Sequence, residues 1–276
     1  MEQVQAAAQE QDAEKKRLAE LRDRLDGQVG PVCGARVAES SREDFSEVFQ
    51  LFLRMVLWVR TMSKLEFKED FQAFASGSRA IFELAVDLVL LEKDPTASTK
   101  MKAFELRLKW KQAKKAHAFI TEKVAAGVPM AQLGLHPDTL RVHQEFIDHH
   151  ASQVESDKKR FWPTTTNVRR WTGQDLGTDA RTVDALGSGL RFSEFYATGY
   201  SYQCWNIHGS TLTGMRDFAP DHLFMGSSLA LLNAWVFAAI ATIATVRKLG
   251  LAKDVVVMSA LGRGYDTVYP SGSVLS

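Results

Sequence analysis

From Leu223 to Val246 (LFMGSSLALLNAWVFAAIATIATV) the chain carries no charged residue, and Arg247 and Lys248 follow at once. A helix this apolar must be covered all round, because about 20 such residues span either a bilayer or the middle of a large helical core. Ser227, Ser228, Asn233, Thr242 and Thr245 dilute the stretch, and the segments before it are apolar enough to wrap it. It therefore reads as a buried central helix near 220–248 in preference to a membrane span. The rest of the chain can supply the wrapping: 276 residues, 45% hydrophobic and 24% charged, are enough for a sizeable core.

Helical periodicity runs through the chain. Ser40 and Glu43 make a capping-box pattern, and Phe45, Val48, Phe49, Phe52, Met55, Val56 and Val59 then recur at i+3/i+4 in a helix ending near Met62. Further helices are predicted over about 66–91, ended by Asp94-Pro95, over about 96–126, stopped by Gly127 and Pro129, and over 138–159. Residues 161–177 (FWPTTTNVRRWTGQDLG) read as a loop pinned by Trp162 and Trp171. Helical pattern resumes near Thr178, breaks at Gly187-Ser188-Gly189 and resumes through about Leu212. Strand signals are nearly absent. The expectation is an all-α fold: one helical bundle domain over 40–262, of about seven to nine helices, with a charged helix or arm at 1–30 and a loop-like tail at 263–276.

Residues 2–26 carry only a thin apolar seam, Val4, Ala8, Leu18, Leu21 and Leu25. That suits a solvated lead-in helix, or a short arm for a homodimer or a partner protein. The formal net charge of +1 gives no overall field for nucleic acid or anionic membrane, so any such attraction needs a local patch. The two cysteines, Cys33 and Cys204, form no disulfide framework or thiolate zinc spacing, and with a polar, charged N-terminus they lead to the expectation of a cytoplasmic protein.

Two stretches can carry chemistry. In RAIFELAVDLVLL, Arg79, Glu83 and Asp87 stand at i, i+4 and i+8 in an otherwise apolar helix. The row is either the single solvent edge of that helix or an internal polar seam that positions a site. In FSEFYATGYSYQCWNIHGSTL, Phe192, Tyr196, Tyr200, Cys204, His208 and Leu212 form an i+4 row of aromatic character. His208 suits a satisfied core histidine, or a general acid/base in a cleft.

The segment Lys100–Lys123 is basic: Lys100, Lys102, Arg107, Lys109, Lys111, Lys114, Lys115 and Lys123 stand against only Glu105 and Glu122, with Phe104, Trp110 and Phe119 between the cations. It reads as a solvated amphipathic face or a nucleic-acid face carrying Lys109, Lys111, Lys114 and Lys115. His143, Glu145, Asp148, His149 and His150 are dense in ligand types but fall on different helical faces, so no metal site is called for. There is no P-loop, dinucleotide fingerprint, G-x-S-x-G elbow or H-E-x-x-H, and no cofactor is called for.

Arg79 with Glu83, the W-x-G loop at Trp171 and Gly173, and Tyr200 followed by His208-Gly209-Ser210 resemble the bacterial domain-of-unknown-function family 5677 over roughly residues 40–250. That resemblance implies a compact helical bundle in which the Arg–Glu helix and the histidine helix approach each other. Cys204 stands where the family usually has serine. A looser resemblance is to the HEPN group of helical RNases and toxins, whose motif is arginine, four to six residues, then histidine on one helix. It implies metal-independent RNA cleavage, with histidine moving protons and arginine stabilising phosphate charge. Here the nearest arginine before His208 is Arg191, and Arg216 follows it, so Arg79 would have to serve in space.

The chain is thus expected to act on RNA or a nucleotide, as an RNase, toxin or phage-defence protein, through His208, Arg79, Glu83 and Tyr200. Trp171, Ser210, Lys109, Lys111, Lys114 and Lys115 are the candidate substrate-binding residues. The rival is a non-catalytic helical protein-interaction module.

Overall fold

A computed structural model describes residues 45–65, 70–187, 191–201, 203–204 and 220–249, with Gln9, Asp12, Ala13, Lys16, Ala19, Glu20, Asp23 and Gly27. Seven helices stand among the described residues: α1 Phe45–Met62, α2 Phe71–Lys93, α3 Ala97–Ala125, α4 Thr139–Phe161, α5 Leu176–Ala185, α6 Phe192–Phe195 and α7 Pro220–Lys248. A 3-10 turn lies at Met130–Leu133 and a π turn at Tyr196–Tyr200, and no strand occurs among the described residues. The protein is all-α, as its periodicity requires. The described positions between 9 and 27 are helical, whereas the seam at Val4, Ala8, Leu18, Leu21 and Leu25, the Ser40/Glu43 capping box and the tail at 263–276 lie outside the described residues. The described residues gather into two compact units, Met1–Pro95 with Leu176–Ser276, and Thr96–Asp175.

In the first unit α2 is the hub, packed against α1, α5 and α7, and α7 also packs on α1. The apolar positions that recur along α1 are those it buries: Val48, Phe52, Met55, Val56, Val59 and Met62 are each no more than 2% exposed. Burying a side chain of that size contributes about 1.5–3 kcal/mol before entropy is counted. Along α7, every residue from Val236 to Val246 is buried. Its two threonines there satisfy themselves, Thr242 Oγ1 donating to the Ala238 carbonyl and Thr245 Oγ1 to that of Ala241, both at 2.7 Å. A hydroxyl bonded inside its own helix can enter an apolar core, which is why these residues did not force the helix to the surface. Among the described residues no helix is long and apolar enough to cross a membrane.

Phe82 of α2 is fully buried and ties four segments together. Its ring lies 5.8 Å from Phe192, 4.8 Å from Phe195, 5.5 Å from Tyr200 and 4.8 Å from Phe237. The short α6 is started from outside itself: the Asp184 carboxylate accepts from the backbone N–H groups of Phe192, at 2.6 Å, and Ser193, at 3.0 Å. An acid at these open N–H groups meets the positive end of the helix.

The second unit is a hairpin of α3 and α4 with the loop that follows. Little of it is buried: Ala97, Ser98, Ala103, Arg107 and Ile120 on α3, and Val154 on α4. Its small core joins Ala103, Trp162 and Val168, with Phe104 and Phe161 against them. The two tryptophans do pin the loop, since Trp162 Nε1 donates to the Trp171 carbonyl at 2.9 Å and both rings are buried. Gly173 turns the chain at φ +82°, and a Cβ there would stand 2.5 Å from Trp162 Cδ1. Gly173→Ala combines an unfavourable backbone conformation with that clash, so it should lower the stability of this unit by about 1–3 kcal/mol. Urea unfolding followed by tryptophan fluorescence measures the loss.

Candidate functional site

The site grows from the one polar edge of α2. Fourteen of the 23 residues of this helix are buried, whereas Arg79, Glu83 and Asp87 are each half-buried on a common row. Both sequence alternatives are partly met: the row is the helix's least buried edge, and a polar seam forms on it. The partner in that seam is Tyr200, the last residue of the π turn. Arg79 Nη2 donates to the Tyr200 hydroxyl at 2.9 Å, and that hydroxyl donates to Glu83 Oε1 at 2.6 Å. Arg79 and Glu83 are themselves 3.7 Å apart, so the phenol, not a direct short ion pair, links them. The guanidinium carbon also lies 4.7 Å from the Tyr200 ring centre.

The π turn decides where the hydroxyl points. It inserts an extra residue into a helical run, which shifts everything after it around the axis. Gly199 sits against the Phe195 ring with no room for a side chain, the Tyr196 and Tyr200 rings stack 5.3 Å apart, and Ser201 Oγ donates to the Tyr196 carbonyl at 3.1 Å. Beyond the turn, Gln203 Nε2 donates to Ser78 Oγ at 3.1 Å, a second polar link to α2 with both residues buried. Sequence reasoning missed the π turn and the Ser78–Gln203 bond. The available signal was Thr198-Gly199-Tyr200-Ser201, a glycine and a serine in a run that otherwise reads as plain helix.

The titrating groups respond to this packing. Burial, reinforced by the hydrogen bond to Glu83, pushes the Tyr200 phenol well above its ordinary value, against the opposing pull of Arg79. Burial likewise pushes the Cys204 thiol up, with Glu83 adding to it, while Arg79 and a hydrogen bond with Tyr200 oppose the shift. Tyr200 is therefore a neutral donor at neutral pH. Because its folded value lies above the unfolded value of about 10, its contribution to stability is complete below about pH 10 and is lost as pH rises through the folded value. In an alkaline titration followed by tyrosinate absorbance, a late-ionising tyrosine should be seen, and Tyr200→Phe should remove one late step. A wild-type curve with no late tyrosine would contradict the buried hydrogen-bonded phenol.

Of the residues singled out from sequence, Arg79, Glu83 and Tyr200 come together. His208 and Ser210 lie outside the described residues. Trp171 and the lysines belong to the second unit. Trp171 is 4% exposed and serves the loop, as described. Lys109 pairs with Glu105 at 2.6 Å, and Lys114 lies 4.5 Å over the Trp110 ring. An open groove of about 340 Å³ between α3 and α4 is lined by Lys109, Gln112, Ala113, Ala116, His143 and Phe146. Nearby, Glu145 is bonded to Arg141 at 2.8 Å, Asp148 accepts from Gln144 at 2.8 Å, and the His149 and His150 rings touch. Among the described residues, no group of three or more His, Cys, Asp or Glu side chains could hold a metal ion.

The chain matches no family model, no curated protein and no solved structure.

Proposed function

We propose that the Arg79–Tyr200–Glu83 cluster is the phosphate-handling half of a site that acts on RNA or a nucleotide without a metal, and that His208 supplies the proton transfer. This is the activity that the HEPN resemblance implies, in the helical setting that the resemblance to family 5677 implies, and it fits a cytoplasmic RNase, toxin or defence protein. The observation that carries the proposal is the state of Arg79. One end of its guanidinium is fixed by Tyr200, and its Nε is buried with no acceptor. A buried N–H left without an acceptor is costly, and an anionic oxygen is the acceptor that would satisfy it best.

In such a reaction on RNA, the 2′-hydroxyl attacks the neighbouring phosphorus and the 5′ oxygen leaves. His208 moves the proton between them, and Arg79 offsets the charge that builds on the phosphate oxygens. Glu83, acting through the Tyr200 hydroxyl, holds the guanidinium in place.

A second reading is favoured by a different observation. Leu108, Phe119, Val124 and Val142, all on α3 and α4, are 40–54% exposed, a scatter of apolar side chains that a partner protein could cover. Under that reading Arg79, Tyr200 and Glu83 are a structural clamp. The test is cleavage of a fluorogenic RNA by the purified wild type, Arg79→Ala and His208→Ala, with folding checked by circular dichroism. Loss of a wild-type activity in both folded variants supports the catalytic reading. RNA left intact by all three removes it and leaves the interaction module.

A further inference from the structure

Arg107 is the anomaly of the second unit. It is 7% exposed, its Nε is buried without a partner, and no hydrogen bond or ion pair joins its guanidinium to any acceptor among the described residues. Arginine is seldom buried unless paired, because removing its charge from water is costly when no acceptor replaces the solvent. More positive charge surrounds it. Lys111 and Lys115 follow at i+4 and i+8 on α3, along one row of the helix. Lys158 stands in the last turn of α4. The hairpin packs this stretch of α3 on α4, since Trp110 Nε1 donates to the Ile147 carbonyl at 3.0 Å and the Phe104 and Trp162 rings lie 6.3 Å apart, and Lys158 is close enough to Lys111 to act on its charge. None of Lys111, Lys115 and Lys158 forms an ion pair among the described residues, whereas Lys109 on the same helix is neutralised by Glu105.

We propose that Arg107, Lys111, Lys115 and Lys158 form a binding site for a phosphate group, with Arg107 as its buried floor and the three lysines as its reachable rim.

Four clustered cations, none in an ion pair among the described residues, repel one another, so the empty cluster weakens the fold that holds it. Burial first, and then the charges of Arg107, Lys115 and Lys158, hold the Lys111 ammonium below its ordinary value. A phosphate oxyanion reverses each of these effects. It accepts the guanidinium N–H groups in a charge-assisted, two-point contact, and the lysines follow its remaining oxygens as point charges. The site differs from the basic face read from sequence: Lys158 joins Arg107, Lys111 and Lys115 from another helix, and Lys109 and Lys114 leave it, one paired with Glu105 and the other laid over Trp110. It is independent of the Arg79 cluster, and either can fail alone.

The test uses the full chain with inorganic phosphate and pyrophosphate at constant ionic strength, read by titration calorimetry and by the rise in Tm. The wild type should bind pyrophosphate more tightly than phosphate, and Lys111→Gln and Lys158→Gln should each weaken binding at least fivefold. Arg141→Gln, which removes the same charge from α4 at a residue already paired with Glu145, should bind as the wild type does. Arg107→Met separates the site from a merely structural arginine: its Tm without phosphate should rise, and its phosphate-induced rise should vanish. Binding that is absent in the wild type, or equal in all lysine variants, overturns the proposal, and so does a fall in the phosphate-free Tm of Arg107→Met. Displacement of pyrophosphate by a short single-stranded RNA, with a salt dependence that weakens in the lysine variants, would assign the phosphate to a nucleic-acid backbone. Failure of RNA to compete while pyrophosphate binds would assign it to a small free anion.

Discussion

Phe82→Ala should lower the unfolding free energy of the first unit by about 3–5 kcal/mol, the largest effect expected from any single core truncation here. Phe82 is fully buried, and its ring meets Phe192, Phe195, Tyr200 and Phe237, which come from three segments distant in sequence from α2. The neighbours cannot collapse into the space together, because Phe237 is fixed on the long α7 and the others on α6 and the π turn. A cavity therefore remains, and its cost adds to the lost transfer energy. Phe82→Leu keeps most of the volume and should cost roughly half as much or less. Urea unfolding of both variants checks the difference. Equal small losses would show that the aromatic cluster is loosely packed. The alanine variant should also loosen the π turn, so the late-titrating tyrosine should ionise nearer its ordinary value.

The second large effect concerns Arg79. On the proposed function, Arg79→Ala should reduce RNA cleavage by about 100- to 1,000-fold, the cost of removing one donor to a developing oxyanion. Arg79→Lys should recover little of this. A lysine can place a charge near the site, but it cannot hold the Tyr200 hydroxyl with one nitrogen while offering a second, separately directed N–H. Tyr200→Phe keeps the guanidinium and removes the group that fixes it, so it should fall between the wild type and the Arg79 variants. Rates at saturating RNA, measured on variants of matched helicity, give the comparison. Full activity in Arg79→Ala would leave the cluster with a structural role only. In that case the three variants should differ in Tm and not in rate.

Much of the fold is legible in the sequence because helices are local. The i+3/i+4 recurrence in Phe45–Val59 gives α1 and its buried face, and Asp94-Pro95, Gly127 and Pro129 mark the ends of α2 and α3. The sequence pattern predicts α2 from about 66, whereas the helix is described from Phe71 with Asp70 at its N-cap. The site was legible in part. The row Arg79, Glu83, Asp87 follows from helical geometry alone, and so does the placing of Tyr200 on an aromatic row.

What joins the two rows was not legible. A π turn adds one residue where the sequence shows only a glycine beside a tyrosine and a serine, and the Ser78–Gln203 bond spans 125 positions in the chain. The basic face shows the same division. Composition announced the lysines of α3, but only packing decided that Lys109 is paired, that Arg107 is buried and unpaired, and that Lys158 arrives from another helix. The sequence by itself determined the all-α class, the helix boundaries to within a few residues and the apolar central helix, because these depend on spacing within single segments. The tertiary structure decided the partners of Arg79, Gln203 and Arg107, because hydrogen bonds and charge pairing depend on which side chains meet across segments, and no period along the chain encodes that.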